Sequence, residues 1–152
     1  MKGMVEEIYL APAGSAAMEQ VAEIKTVEGC GIAGDRYCEG TGYWTGLDYV
    51  CEITLIPAEH LDYIEHEHGL RVKNGEHRRN IVTRGIDLDS MCGKRFRIGE
   101  AVLEYDRPRP PCQHVQDLTE PGMTHALKGR GGICARVVKA GTIRVTDAIE
   151  PE

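Results

Sequence analysis

Short β-branched or apolar runs punctuated by glycine and proline fill this chain, and only one segment is long enough to form more than a token helix. That pattern restricts the fold more than any other feature. Residues 5–11 read as an opening strand closed by Pro12-Ala13-Gly14, residues 50–56 as another, and Ile81-Val82-Thr83 as a third, led in by Arg78-Arg79-Asn80. Phe96 and Ile98 stand before Gly99-Glu100, a pair suited to a type II′ turn, and Val102-Leu103-Glu104-Tyr105 returns, which predicts a hairpin. A second hairpin is expected from residues 133–138 and 142–146 around Lys139-Ala140-Gly141. Residues 16–27 fit helical and alternating periods equally. The one clear helix is expected over residues 57–68, with Pro57 at its first position, Leu61 and Ile64 as its apolar face and Gly69 beyond its end. Many short strands with one helix point to a β-barrel or closed sheet with small helical insertions. At 152 residues and 41% hydrophobic content, one domain over residues 1–152 is expected.

The stiffest stretch is Arg107-Pro108-Arg109-Pro110-Pro111-Cys112-Gln113-His114. Each proline fixes its own φ near about −65°, removes a backbone donor and pushes the preceding residue toward extended geometry. The run therefore reads as a rigid loop leaving a strand and delivering Cys112. Two guanidinium groups upstream favour the thiolate of Cys112, the form that attacks, carries sulfur or binds metal. A buried structural cysteine beside a solvated arginine pair is the plainer alternative. Residues 71–109 hold ten Lys/Arg against six Asp/Glu inside a chain of net charge −6, so the site of an anionic small ligand is expected there. Lys128-Gly129-Arg130-Gly131-Gly132 adds backbone amides and two cations, a combination that binds phosphate or simply forms a solvated loop. The glycines at 29, 31 and 34 lack the dinucleotide-binding spacing and suit turns. The aromatic-rich residues 40–46, with the single Trp44, suit a pocket cap or packing. His60, His66 and His68 lack the helical spacing of metal ligands.

An acidic chain with pI near 5.5 is not a general nucleic-acid or anionic-membrane surface. No stretch approaches the roughly 20 apolar residues that span a bilayer, and the first residues lack a signal-peptide run, so a cytoplasmic location is expected. There the six cysteines (Cys30, Cys38, Cys51, Cys92, Cys112, Cys134) are expected to be reduced, and without Cys-x-x-Cys spacing no structural zinc is expected.

Several of these blocks together resemble the MOSC domain, named for the carboxy-terminal part of molybdenum cofactor sulfurases. They are Gly31-Ile32-Ala33-Gly34-Asp35-Arg36, Arg78-Arg79-Asn80-Ile81-Val82, Gly93-Lys94-Arg95-Phe96-Arg97-Ile98-Gly99, Pro111-Cys112-Gln113-His114-Val115, Gly129-Arg130-Gly131-Gly132 and Gly141-Thr142-Ile143-Arg144-Val145, in the family's order. The resemblance implies a mainly β, MOSC-type barrel with a few short helices that binds the molybdenum cofactor (molybdopterin). It makes Cys112 either a persulfide carrier for sulfur transfer or a molybdenum ligand in the reduction of N-oxygenated compounds. Arg78 and Asn80 match the family's Arg-x-Asn element, and with Arg107, Arg109 and Arg130 they are the residues expected around the anionic end of the pterin. Implied partners are a cysteine desulfurase or a molybdoenzyme. Two places depart from the family's pattern: Pro110-Pro111 stand where several relatives have small hydroxyl residues, and Thr146 where glycine is usual. A different class of function is a non-catalytic binding module for a partner in molybdenum cofactor biosynthesis. A cysteine hydrolase using Cys112 and His114 lacks an evident orienting carboxylate.

Overall fold

The computed structural model describes residues 2–13, 15–35, 38, 51–109 and 113–152; Cys112, with Pro110-Pro111 before it, and the loop carrying Trp44 lie outside the described residues. In chain order the strands are β1 (Gly3–Leu10), β2 (Glu19–Val21), β3 (Glu23–Val27), β4 (Gly31–Ile32), β5 (Ile53–Pro57), β6 (Ile81–Arg84), β7 (Arg95–Ile98), β8 (Ala101–Pro108), β9 (Ile133–Lys139), β10 (Thr142–Arg144) and β11 (Ala148–Pro151). Three short helices, α1 (Ala58–Tyr63), α2 (Gln113–Asp117) and α3 (Met123–Leu127), and a 3-10 turn over Leu88–Met91 fill the connections. Seven strands close into a barrel in the order β11-β7-β8-β9-β5-β6-β1, with β11 pairing back onto β1 through Gly3↔Ile149 and Met4↔Ala148. Closure leaves these strands without a free edge.

Burial explains the pattern of each strand. β7 alternates, with Phe96 and Ile98 inside and Arg95 and Arg97 outside. β5 is buried at all five positions, because it is covered on both faces. Ile53 and Leu55 join the barrel interior with Val5, Ile81, Leu103, Ile133 and Ile149. Ile56 and Val82 turn outward into a second cluster with Leu61, Ile64, Met123 and Leu127 of the helical layer. β5 and β6 run parallel and are joined through α1; the other pairs are antiparallel. No helix among the described residues is long and apolar enough to cross a membrane.

The β7–β8 hairpin forms as expected, and Gly99 takes the positive φ of 56° that the first central position of a II′ turn requires. Three expectations need correction. The second hairpin does not form: β10 leaves β9 and pairs with β3 instead, because Gly141 is locked to Thr26 by reciprocal 2.9 Å bonds, Thr26 Oγ1 to Gly141 O and Gly141 N to Thr26 Oγ1. Pro57 ends β5 as the helix cap with extended backbone rather than opening the helix, and the last turn before Gly69 is a wider π turn over Ile64–His68. The cysteines are not all thiols: Cys30 pairs with Cys38 and Cys51 with Cys134 in disulfides, and Cys92 is the free cysteine among the described residues. Spacing in sequence hid the second pair, since it is the β5–β9 pairing that brings the Cα atoms of Cys51 and Cys134 to 5.5 Å, a distance a disulfide spans. The ambiguous 16–27 segment resolves as two strands. Thr146, at the position where the family usually has glycine, holds a left-handed φ of 77°.

Candidate functional site

One end of the barrel holds a cavity of about 900 Å³ with four walls. The end of β8 and the residue after it supply Tyr105, Arg107, Pro108 and Arg109; the 3-10 turn supplies Leu88 and Asp89, with Cys92 just beyond; Pro57 comes from the end of β5 and His60 from α1; Gly129, Gly131 and Gly132 come from the loop before β9.

A β-bulge aims the arginines. In the β8–β9 ladder Tyr105 faces Ala135 and Arg107 faces Cys134, so Asp106 is an extra residue on β8. A bulge of this kind breaks the strict alternation of side chains and bends the strand. Asp106 can then reach its own neighbour: Arg107 Nη1 donates to Asp106 Oδ2 at 2.6 Å, while Nη2 lies 3.7 Å from Cys51 Sγ. The other carboxylate oxygen of Asp106 accepts from Arg136 Nη1 at 2.7 Å, Arg136 Nη2 donates to Glu104 at 3.1 Å, and Arg95 Nε donates to Glu104 at 3.2 Å. A ladder of alternating charge thus crosses β7, β8 and β9 and ends on the cavity arginine. Arg136 and Arg95 hold the Glu104 carboxyl below its ordinary range.

Arg109 is fixed through its backbone, its N–H donating to Gly132 O at 2.8 Å. Its side-chain Nε is buried in the cavity wall with no hydrogen-bond partner among the described residues. An orphaned cationic donor of this kind costs free energy unless an anion meets it. The glycine loop lies close enough to need its glycines: a Cβ on Gly131 would collide with the Arg109 carbonyl oxygen, and one on Gly132, at φ 80°, with the Leu55 carbonyl oxygen.

Arg107 and Arg109 and the glycine loop expected from sequence meet at this cavity; Arg78, Asn80 and Arg130 stand outside its lining. Arg78 has φ 62° and donates from Nη1 to Ala16 O. Asn80 is buried and spent on the framework: its Oδ1 accepts from Thr54 N at 3.1 Å and Thr54 Oγ1 at 3.0 Å, and its Nδ2 donates to Tyr9 O at 3.1 Å and Asp35 Oδ1 at 3.4 Å. Arg130 stacks over the Tyr63 ring at 4.0 Å and donates to Ala126 O at 3.3 Å. The arginine of this block that reaches the cavity loop is the fully buried Arg79, whose Nε donates to Gly131 O at 2.8 Å and whose Nη1 donates to His77 O at 3.1 Å. His77 accepts the Arg79 N–H at Nδ1, which assigns the ring proton to Nε2. Burial first, then the charges of Arg79 and Arg78, push the His77 pKa down to about 3, so the ring is neutral.

Sequence reasoning missed Tyr105, Asp89, Cys92 and His60 as cavity residues. The available signal was nearness in sequence alone: Tyr105 ends the strand expected over residues 102–105, two residues before Arg107. Cys112 follows Arg109 by three residues, outside the described residues, and His114, on α2, lies 3.2 Å from Ser15 Oγ through its Nε2.

The sequence profile of the MOSC domain matches residues 48–150. No curated protein matches the chain. Among solved structures it is similar to the YuaD protein of Bacillus subtilis, with a TM-score of 0.82 at 20% identity over 99% of this chain and 96% of that one. YiiM of Geobacillus stearothermophilus gives 0.75 at 21% identity over 99% and 75% of the two chains, and YiiM of Escherichia coli 0.72 at 22% over 100% and 70%. At these identities the likeness is one of fold, a closed seven-stranded barrel with a few short helices. With the profile covering most of the sequence, from before β5 into the closing strand β11, the chain belongs to the MOSC domain family.

Proposed function

We propose that this chain binds the molybdenum cofactor at the barrel-end cavity, with the cofactor's phosphate on Arg107 and Arg109 and Cys112 as the sulfur-carrying or metal-ligating thiolate. The observation that carries the reading is the pair of arginines, Arg107 and Arg109, on the wall of a cavity large enough for a pterin. A guanidinium presents a planar fork suited to phosphate. The tightly approached glycines keep backbone close to the same wall, which leaves room for a flat ring.

Within this reading the chain's own groups have separate tasks. Arg109 and Arg107 hold the anion, Asp106 and Arg136 set the angle of Arg107, and Arg79 braces the glycine loop from beneath. Asn80 ties β1, β5 and the turn at Asp35 together behind the site. The molybdenum centre, when bound, supplies the redox and sulfur-accepting chemistry, and soft thiolate ligation suits it. Transfer of a sulfane sulfur from Cys112 to the cofactor, or reduction of an N-oxygenated compound, are the two activities that fit. The test is molybdenum and pterin content of protein purified from a host that makes the cofactor. Both are expected in the wild-type chain and absent from Cys112→Ser; clean protein that takes up neither cofactor nor persulfide overturns the proposal.

A further inference from the structure

Tyr105 is a core residue by packing, 8% exposed and part of the barrel interior, yet it also lines the cavity. Its backbone N–H is used by Lys94 O at 3.0 Å, whereas its hydroxyl has no hydrogen-bond partner among the described residues. The groups facing it are Asp89 and Cys92, from the 3-10 turn and the residue after it, both exposed on the cavity rim. Burial first, then these two neighbours, push the phenol pKa up, so the hydroxyl keeps its proton and acts as a donor. The Asp89 carboxylate is an acceptor. Donor and acceptor therefore stand on the cavity wall beside the arginine pair, in a space sized for a ring with a charged tail.

We infer that Tyr105 and Asp89 form a second recognition subsite of this cavity, for the edge of a planar heterocycle on which a carbonyl oxygen lies beside a ring N–H. The phenol donates to the carbonyl and the carboxylate accepts from the N–H, while Arg107 and Arg109 take the anionic end of the same molecule. A 2-amino-4-oxopyrimidine edge has this character, and both pterins and guanine carry it. The inference rests on the reading of the cavity as an anionic-cofactor site and adds to it the feature that selects the ring. A site built to hydrogen-bond a particular edge rejects an analogue that presents the reversed pattern, because its own polar groups are then left unpaired.

The experiment is calorimetric titration of the full chain at pH 7.5 with guanosine 5′-monophosphate, adenosine 5′-monophosphate and inorganic phosphate. The two nucleotides carry the same phosphate for the arginines and opposite hydrogen-bond patterns on the ring edge. Guanosine monophosphate is expected to bind at least about tenfold more tightly than adenosine monophosphate. Tyr105→Phe, which keeps the ring in the core, and Asp89→Asn are each expected to remove most of that preference without changing adenosine monophosphate binding or the thermal midpoint. Equal binding of the two nucleotides, or a preference that survives Tyr105→Phe, overturns the subsite. Phosphate binding without any gain from either base overturns the subsite and leaves the anion site standing; failure of all three to bind overturns both.

Discussion

At the scale of single residues, the site is a set of polar groups held in apolar surroundings with few ways to be satisfied. Arg109 is the sharpest case, since its backbone is fixed by Gly132 and its Nε is buried with no hydrogen-bond partner among the described residues. His77 is another. Its Nε2 is buried with no hydrogen-bond partner among the described residues, its ring packs edge-on to Tyr9 at 5.2 Å, and its pKa is held near about 3 against an ordinary 6.5. The unfolded chain therefore takes up a proton that the folded chain refuses. Stability from this residue is full above pH 6.5 and is lost as pH falls toward about 3, by up to about 1.4 kcal/mol per pH unit. Urea midpoints measured from pH 7 to pH 4 are expected to fall along that slope. His77→Asn flattens the dependence, and an equal slope in the variant contradicts the assignment.

Elements carry a different lesson, because here the barrel is held shut by its shortest pieces. β11 spans four residues, yet it pairs with β7 through Ile149↔Ile98 and with β1 through Gly3↔Ile149, so Ile149 sits at the seam inside the core. Ile149→Ala removes buried methyls at the point of closure and is expected to cost about 2–5 kcal/mol, read as a fall in denaturation midpoint; a cost below about 1 kcal/mol means the seam is not what closes the barrel. This strand was illegible in the sequence. Ala148-Ile149-Glu150-Pro151 has one strongly apolar residue and a proline, and only its two partners make it a strand. The β7–β8 hairpin was legible because its turn chemistry and alternation are local. The β9–β10 hairpin looked equally local, but Gly141 packs against Glu100 and bonds Thr26, and these distant contacts send β10 to β3. Of the site, the arginine pair and glycine loop could be read from residue type. The Asp106 bulge that turns Arg107, and the choice of Arg79 over Arg78 as the brace, depend on register that no spacing in the sequence reveals.

Over the whole molecule, one closed barrel supports both clusters of the core, and a disulfide ties two of its neighbouring strands. The Cys51–Cys134 disulfide joins the approach to β5 with β9 across 83 residues of sequence, beside Arg107. Closing so long a loop restricts the unfolded chain, and removing such a bridge typically costs about 2–5 kcal/mol. Reduction, or paired Cys51→Ala and Cys134→Ala changes, is expected to lower the denaturation midpoint accordingly; unchanged curves with and without reductant would show that the link contributes nothing to stability. The central claim concerns the cavity. Its most direct test is the pterin content, assayed as the fluorescent oxidised derivative, of wild-type, Arg109→Ala and Arg97→Ala proteins purified from a cofactor-making host. Arg97 lies outside the cavity, paired with Glu150 at 3.2 Å, and serves as the control arginine. Pterin is expected in the wild type and in Arg97→Ala and at a level lower by about tenfold or more in Arg109→Ala; equal pterin in all three would contradict an anion site at Arg109.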